Sequence, residues 1–427
     1  MKFYIYTLGC KVNSYESRIM TEDLINAGYV EEKDNNIPAD IYIINTCSVT
    51  NTADSKSLKL IRQAIKKNKD AIIVVCGCLA QVKPETVNIE GVDIVIGNKN
   101  KSKVSEYINE YVKNKNKKTD IYDISNVEFE TMKLNNFDKT RAFIKIQDGC
   151  NNFCAYCIIP YTRGSVRSKP REDILNEIDH LTLNGHKEIV LTGIHTGNYG
   201  SEFDNYDFAD LLNEIVKIKK LSRIRISSIE ITELNDRVLE IIKNNNVLVD
   251  HLHIPLQSGS DEILKLMNRK YDTKYFIEKI NKIRKIRPNI SITTDVIVGF
   301  PNETDKNFNE TIETIKKVDF SKLHVFPYSK REGTKAATME GQIKEEVKKQ
   351  RVMELLKLSK ELENKYMNKF IGKTLTFIPE VYKDGYLIGH TGNYLLIKLK
   401  GCEELLHKEV SVKLMENQYP YIISSAI

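Results

Sequence analysis

The chain has 427 residues, room for about three domains at roughly 150 residues each. Its 41% hydrophobic and 29% charged composition is that of a globular protein, and 8 cysteines fall far short of the roughly 8–10% that marks a disulfide framework. Net charge is +6, from 64 Lys plus Arg against 58 Asp plus Glu, too mild to mark a nucleic-acid protein by itself.

At the N-terminus the apolar stretch after Lys2 ends at Lys11, too short for an export signal, and no later run approaches the roughly 18 apolar residues of a membrane span. A cytoplasmic protein with no membrane contact is expected, and reducing conditions there favour metal-binding or catalytic cysteines. Residues 1–112 alternate short apolar strands, at 3–7, 41–45, 72–75 and 94–96, with helical patterns at 14–27 and 55–67 and a last one ending near 112. That alternation implies a parallel sheet. In the second helix Leu58, Ile61 and Ile65 share one face, and Lys59, Arg62 and Lys66 another.

A polar Lys and Asn run opens an expected linker over 113–138. A second alternating series fills 139–369, with strands at 142–147, 188–192, 223–227, 251–254, 292–298 and 322–326. Six strand and helix units suit a partial barrel of the TIM type, short of the eight units and roughly 250 residues of a complete one. A charged helix over 344–369 leads into a tail, 370–427, whose short strands and Gly turns suggest a small β-barrel. The fold class expected is therefore α/β, with a parallel-sheet domain, a partial (β/α)6 barrel and a small β-barrel. Basic segments at 56–69, 99–118 and 269–287 read equally as solvated faces or as a phosphate track. Arg163, Arg167 and Arg171 carry the same two readings.

The cysteines sort into two sets. Cys150, Cys154 and Cys157 stand within eight residues of one another, directly after the first strand of the second series. Three such thiolates can wrap one soft metal centre, and an iron–sulfur cluster held by three cysteines keeps one iron open. A zinc ion completed by a distant histidine is the plainer alternative. Cys10, Cys47 and Cys78 are far apart in sequence, but each follows a predicted strand, and loops after parallel strands gather on one sheet edge. Cys76 is the rival to Cys78, placed at the strand end where a structural thiol is common, and Cys402 is read as structural.

The Cys150, Cys154 and Cys157 spacing, with Tyr156 before the last cysteine, resembles the signature of radical S-adenosylmethionine enzymes. With the three upstream cysteine motifs and the β-rich tail, nearly the whole chain is similar to methylthiotransferases: a cluster domain, a radical core and an RNA-binding TRAM domain. The wording of residues 7–17, 45–54, 191–197 and 253–260 is most like the branch acting on N6-threonylcarbamoyladenosine beside the tRNA anticodon, at position 37. Branches acting on isopentenyladenosine or on a ribosomal-protein aspartate are the nearby alternatives, and a non-catalytic iron–sulfur protein that binds RNA or carries electrons is the alternative of another class. Many relatives place Trp where Tyr161 stands.

The resemblance implies two [4Fe–4S] clusters, one on Cys150, Cys154 and Cys157 and one on Cys10, Cys47 and Cys78. It implies S-adenosylmethionine both as methyl donor and as the source of a 5′-deoxyadenosyl radical that activates adenine C2, chemistry that no side-chain acid or base performs. Tyr156, Thr192, Gly193, Glu230 and Gln257 are the expected cofactor contacts, at the C-terminal ends of barrel strands where barrel chemistry gathers. Expected partners are the tRNA anticodon stem-loop, a reduced flavodoxin or ferredoxin, and a sulfur donor. A monomer is expected, since no heptad run argues otherwise. His251 and His253 share a strand face and read as a hydrogen-bonded interior rather than a metal pair, and Asp295 as a group that organises the barrel mouth or caps a turn.

Overall fold

The protein is described from a computed structural model over residues 1–427, apart from 125, 126, 131, 133, 136, 138 and 139. The first strands are β1 (Lys2–Thr7), β2 (Val30–Glu31), β3 (Ile41–Thr46), β4 (Ile72–Gly77), β5 (Ile94–Ile96) and β6 (Lys118–Asp120). They form one parallel sheet in the order β2-β1-β3-β4-β5-β6. Every residue of β3 and β4 is buried, as a sheet covered on both faces requires. Met20 and Leu24 of helix Lys11–Asn26, with Tyr107 and Ile108 of helix Val104–Asn114, cover one face. Ile61 and Ala64 of helix Asn51–Lys67 cover the other, so the face predicted to be apolar in that helix is the buried one.

The segment expected as a linker differs from that reading where it is described. Lys118–Asp120 is the edge strand β6, paired in parallel with β5, and Met132, Leu134 and Phe137 are buried in the barrel core. A polar Lys-rich composition suits an exposed sheet edge as well as a linker, because edge strands are kept charged. The rest of the expected linker, at 125, 126, 131, 133, 136 and 138, lies outside the described residues.

The barrel strands are β7 (Arg141–Lys145), β10 (Glu188–Thr192), β11 (Arg223–Ile226), β12 (His251–His253), β13 (Ser291–Val298) and β14 (Lys322–Pro327). Between β7 and β10 lies a two-stranded antiparallel ribbon, β8 (Gln147–Asp148) with β9 (Arg167–Ser168). Neighbouring barrel strands are parallel, and single parallel bridges, Ile224 with Leu248 and Ser228 with His253, join β11 to β12. Among the described residues β7 and β14 do not pair, so the barrel stays open on one side. Helix Lys11–Asn26 of the first sheet domain lies against β7, sending Tyr15 and Ile19 into the barrel core. Tyr15 Oη donates to Glu177 Oε1 at 2.9 Å.

Helix Glu345–Asn368 packs on β14, where Ser359 Oγ accepts from Leu323 N at 3.0 Å. The tail is a closed barrel of β15 (Thr374–Lys383), β16 (Tyr386–Thr391), β17 (Leu396–Lys400), β18 (Val410–Gln418) and β19 (Tyr421–Ala426), ordered β15-β16-β17-β19-β18. It docks at the N-terminal ends of the barrel strands. Arg225 donates to the carbonyls of Thr391 and Gly392, both at 2.9 Å, and Arg223 to that of His390 at 3.2 Å. Among the described residues no helix is long and apolar enough to cross a membrane.

Candidate active site

In a doubly wound sheet the ligand crevice opens beyond the carboxyl ends of the strands where the winding reverses, here between β1 and β3. Cys10 follows β1, Cys47 follows β3 and Cys78 follows β4, so all three loops meet at that edge. Gly9 has φ +93°, and a Cβ there would lie 2.8 Å from Cys47 Sγ, so only glycine lets these loops approach. The sulfurs are near enough that Cys78 raises the pKa of Cys10, and Cys78 and Cys10 that of Cys47. Burial, reinforced by Cys78 and Cys10, pushes the Cys47 thiol up to about 12, so a metal that binds here must displace protons.

Asparagines tie the loops together. Asn13, one helical turn past Cys10, donates to Leu8 O at 2.7 Å and to Thr46 O at 3.0 Å. Asn98, after β5, donates to Cys78 Sγ at 3.6 Å and to Thr162 O at 2.8 Å, which links the first triad to the barrel. Cys76, by contrast, is buried in the sheet core with its sulfur 3.8 Å from Met20 Sδ.

The second triad sits in the loop whose base is pinched by the β8–β9 ribbon. Gly149, at φ +71°, has its Cβ position 1.9 Å from Ser165 O, so this pinch also requires glycine. Cys150 Sγ lies 3.7 Å from His195 Nδ1, and Cys154 Sγ accepts from Arg269 Nη1 at 3.3 Å. Burial opposes a charge on His195, but hydrogen bonds with Cys150 and Glu233 raise its pKa to about 10. Burial, with the neighbouring Cys154 thiol, pushes Cys157 up to about 12.

The expected cofactor contacts fall in distinct places. Tyr156 and Gln257 line a cavity of about 220 Å³ together with Cys157, Asp295 and Phe326; its opposite wall is Val49 and Thr50, just past Cys47. Thr192 ends β10 with its hydroxyl turned back to Val190 O at 3.3 Å, and Gly193 sits against the Gln147 side chain. Glu230 is held in an ion pair with Arg269, the arginine that touches Cys154. Arg269, His195, Asn13 and Asn98 carry no site signal of their own in the sequence, although His195 and Asn13 lie inside the motif runs 191–197 and 7–17 and Arg269 opens the basic segment 269–287.

Arg163 corrects both of its expected readings, since it contacts neither solvent nor any surface. It is 0% exposed, and it joins Glu16 Oε1 at 2.9 Å, Asp148 Oδ1 at 3.2 Å and Asn13 Oδ1 at 2.7 Å. Lys145 reaches Glu16 at 2.8 Å, and Lys101 also pairs with it. Burial works against the Glu16 carboxylate, but Arg163, Lys101 and Lys145 together hold it well below the usual carboxylate range. This buried cluster of charges joins the two triads. Arg167 reaches Asp148 at 3.4 Å, while Arg171 is surface-exposed and paired with Glu214.

The donor chemistry fits iron–sulfur clusters. Each triad supplies three thiols, and N–H groups of Asn98 and Arg269 already aim at sulfur, the outer contacts that orient cluster ligands. Among the described residues no three Cys, His, Asp or Glu side chains converge as ligands of a single metal ion.

Residues 144–315 match the family model described as Radical SAM superfamily, and residues 2–97 match Uncharacterized protein family UPF0004. The chain is 45% identical, over 97% of its length and 94% of the relative's, to the Bacillus subtilis protein named Threonylcarbamoyladenosine tRNA methylthiotransferase MtaB. It is 36% identical, over 97% of its length and 84% of the relative's, to the B. subtilis tRNA-2-methylthio-N(6)-dimethylallyladenosine synthase. The radical S-adenosylmethionine methyltransferase TsrM from Kitasatospora setae shares the fold, with a TM-score of 0.57 at 11% identity over 79% of this chain and 76% of that one. With both halves of the site matched and named methylthiotransferases aligned over 97% of its length, the chain belongs to the radical S-adenosylmethionine methylthiotransferase family.

Proposed function

We propose that the protein methylthiolates C2 of N6-threonylcarbamoyladenosine at position 37 of tRNA, using two [4Fe–4S] clusters and S-adenosylmethionine. The observation that carries the reading is one cavity walled by the loop after Cys47 on one side and by Cys157, Gln257 and Asp295 on the other. A substrate there lies between both triads. The higher identity to the relative named for threonylcarbamoyladenosine, 45% against 36%, favours that nucleoside over the dimethylallyl one.

When bound, the clusters would supply the reducing electron and the sulfur site, and S-adenosylmethionine the radical. The chain's own residues place the reactants. Cys150, Cys154 and Cys157 hold one cluster and Cys10, Cys47 and Cys78 the other. Tyr156 and Gln257 face the cavity, and Thr192 and Gly193 offer backbone groups at the β10 end, as contacts for the sulfonium cofactor. Glu230 acts through Arg269, fixing the guanidinium against Cys154.

Adenine C2 is reached only when the base is splayed out of a helix, as in an anticodon loop. Phe153, 54% exposed, and Tyr161, 50% exposed, meet edge to face at 6.2 Å on the cluster loop. Tyr161 thus keeps an accessible ring at the position where the family resemblance leads one to expect Trp, and the pair offers stacking surfaces to unpaired bases. Residues 139–369 form the radical core and 370–427 the TRAM domain, following the cluster domain of 1–112. The protein works as a cytoplasmic monomer, taking electrons from a reduced flavodoxin or ferredoxin and sulfur from a separate donor.

Anaerobic reconstitution with dithionite, S-adenosylmethionine and an anticodon stem-loop carrying N6-threonylcarbamoyladenosine tests the reading. It should yield 5′-deoxyadenosine and a methylthiolated loop. Absence of 5′-deoxyadenosine would refute radical chemistry and favour a non-catalytic iron–sulfur protein.

A further inference from the structure

A second hollow, of about 440 Å³, lies below the cluster cavity along the same inner wall of the barrel. Side chains alternate along a strand. Ser291 and Thr293 therefore line the lower hollow, while Asp295 and Ile297 of the same β13 face line the upper one. On β14, Lys322 and His324 line the lower hollow and Phe326 the upper. Three parts of the chain close the lower space: the barrel, Tyr394 of the tail barrel, and Lys11, the residue next to Cys10. Lys11 also lines a small adjoining hollow beside Arg141, Arg225 and Tyr394.

The charges in this chamber are matched, apart from Lys11. Lys322 pairs with Glu363 at 3.1 Å and Arg141 with Glu380 at 2.7 Å. Arg225 pairs with Glu188 and lies 4.6 Å from the Tyr394 ring centroid. His253 takes up Asp295 at 3.3 Å, and both His251 and His253 bond the Thr293 hydroxyl, at 3.2 and 2.9 Å. Lys11 is accessible and has no hydrogen-bond or ion-pair partner among the described residues. An ammonium with no bonded partner at the edge of this polar chamber is available to pair an added anion.

We infer that this chamber receives the amino-acid substituent on the target adenine, with Lys11 pairing its carboxylate. The inference rests on the proposed nucleoside and deepens it. The threonylcarbamoyl group carries a carboxylate and a hydroxyl, and it branches from the N6 edge, one ring nitrogen away from C2. An isopentenyl group would leave Lys11 unpaired and the imidazoles and hydroxyls desolvated, and a site built for polar groups rejects an apolar analogue strongly. S-adenosylmethionine also carries a carboxylate, so the ligand chemistry has two sources that must be separated.

The test is binding by the reconstituted holoprotein of three probes: stem-loops with N6-threonylcarbamoyladenosine or plain adenosine at the target position, and S-adenosylmethionine. Wild type should prefer the modified loop. Lys11→Gln should weaken that loop by about tenfold, the scale of a lost charged hydrogen bond, and leave the other two probes unchanged. Lys11→Arg should keep the preference, with iron and sulfide content equal in all variants. A Lys11→Gln protein that retains wild-type preference, or that loses both loops equally or S-adenosylmethionine instead, overturns the inference. Wild type showing no preference for the modified loop would overturn the nucleoside reading itself.

Discussion

Glu16 shows at a single residue how the two cluster regions are made one site. Its carboxylate comes from the sheet domain, whereas Lys145 and Arg163 come from the barrel. Taking such charges out of water is repaid only by close geometry, and removing one partner of a buried pair typically costs roughly 3–5 kcal/mol. The network therefore fixes orientation more than it adds net stability. From sequence Glu16 does not stand out, and Arg163 reads only as a solvent-facing or phosphate-binding residue. Each reads as a polar residue on a short helical pattern, and the partner that explains its burial lies 147 residues away. The cysteines are readable as ligand candidates because their pattern is local: three in one loop, and three others each just past a strand. Cys78→Ala should accordingly abolish the N-terminal cluster, roughly halving iron and sulfide content, while Cys76→Ala should keep both clusters because its thiol belongs to the core beside Met20. The reversed pattern would show that the wrong cysteine has been assigned.

Among the elements, helix Asn51–Lys67 serves both the core and the substrate. Thr50 caps it by accepting from Ala53 N at 3.1 Å, and this same turn forms the wall of the cluster cavity. Lys56, Lys59, Arg62 and Lys66 are all exposed on its outer side. In the other basic segments some cations are spent internally, although many lysines there are exposed as well. Lys101 is buried against Glu16, Arg284 donates to the carbonyls of Val318 and Asp319 at a helix end, and Arg287 to that of Asn245. Charge counts cannot distinguish a guanidinium that caps a helix from one that meets phosphate, so the sequence left both readings open. The outer face of helix Asn51–Lys67 is the phosphate track to test, because the turn that caps it walls the cluster cavity. Lys59→Glu with Lys66→Glu should weaken binding of modified and unmodified stem-loops alike and reduce the salt slope by about one unit per lost contact. Unchanged affinity at low salt would exclude this helix from the interface.

Across the whole molecule, strand alternation sufficed to read two α/β units and a small terminal barrel, since hydrophobic period and Gly turns are local signals. Their assembly was not legible, because it depends on contacts between distant segments. Helix Lys11–Asn26 belongs to the first sheet yet fills the barrel core with Tyr15 and Ile19. The tail barrel likewise reaches back to the barrel interior, where Tyr394 stacks on His251 at 4.5 Å. These interlocks bring the Cys10 loop, the Cys157 loop and the tail around one continuous inner wall, and such a wall suits a single nucleoside held between two clusters. The most direct measurement is nucleoside mass spectrometry of tRNA from cells with and without the gene. Loss of the gene should leave N6-threonylcarbamoyladenosine accumulated without its 2-methylthio group, whereas an unchanged 2-methylthio derivative, or accumulation of isopentenyladenosine instead, would contradict the account.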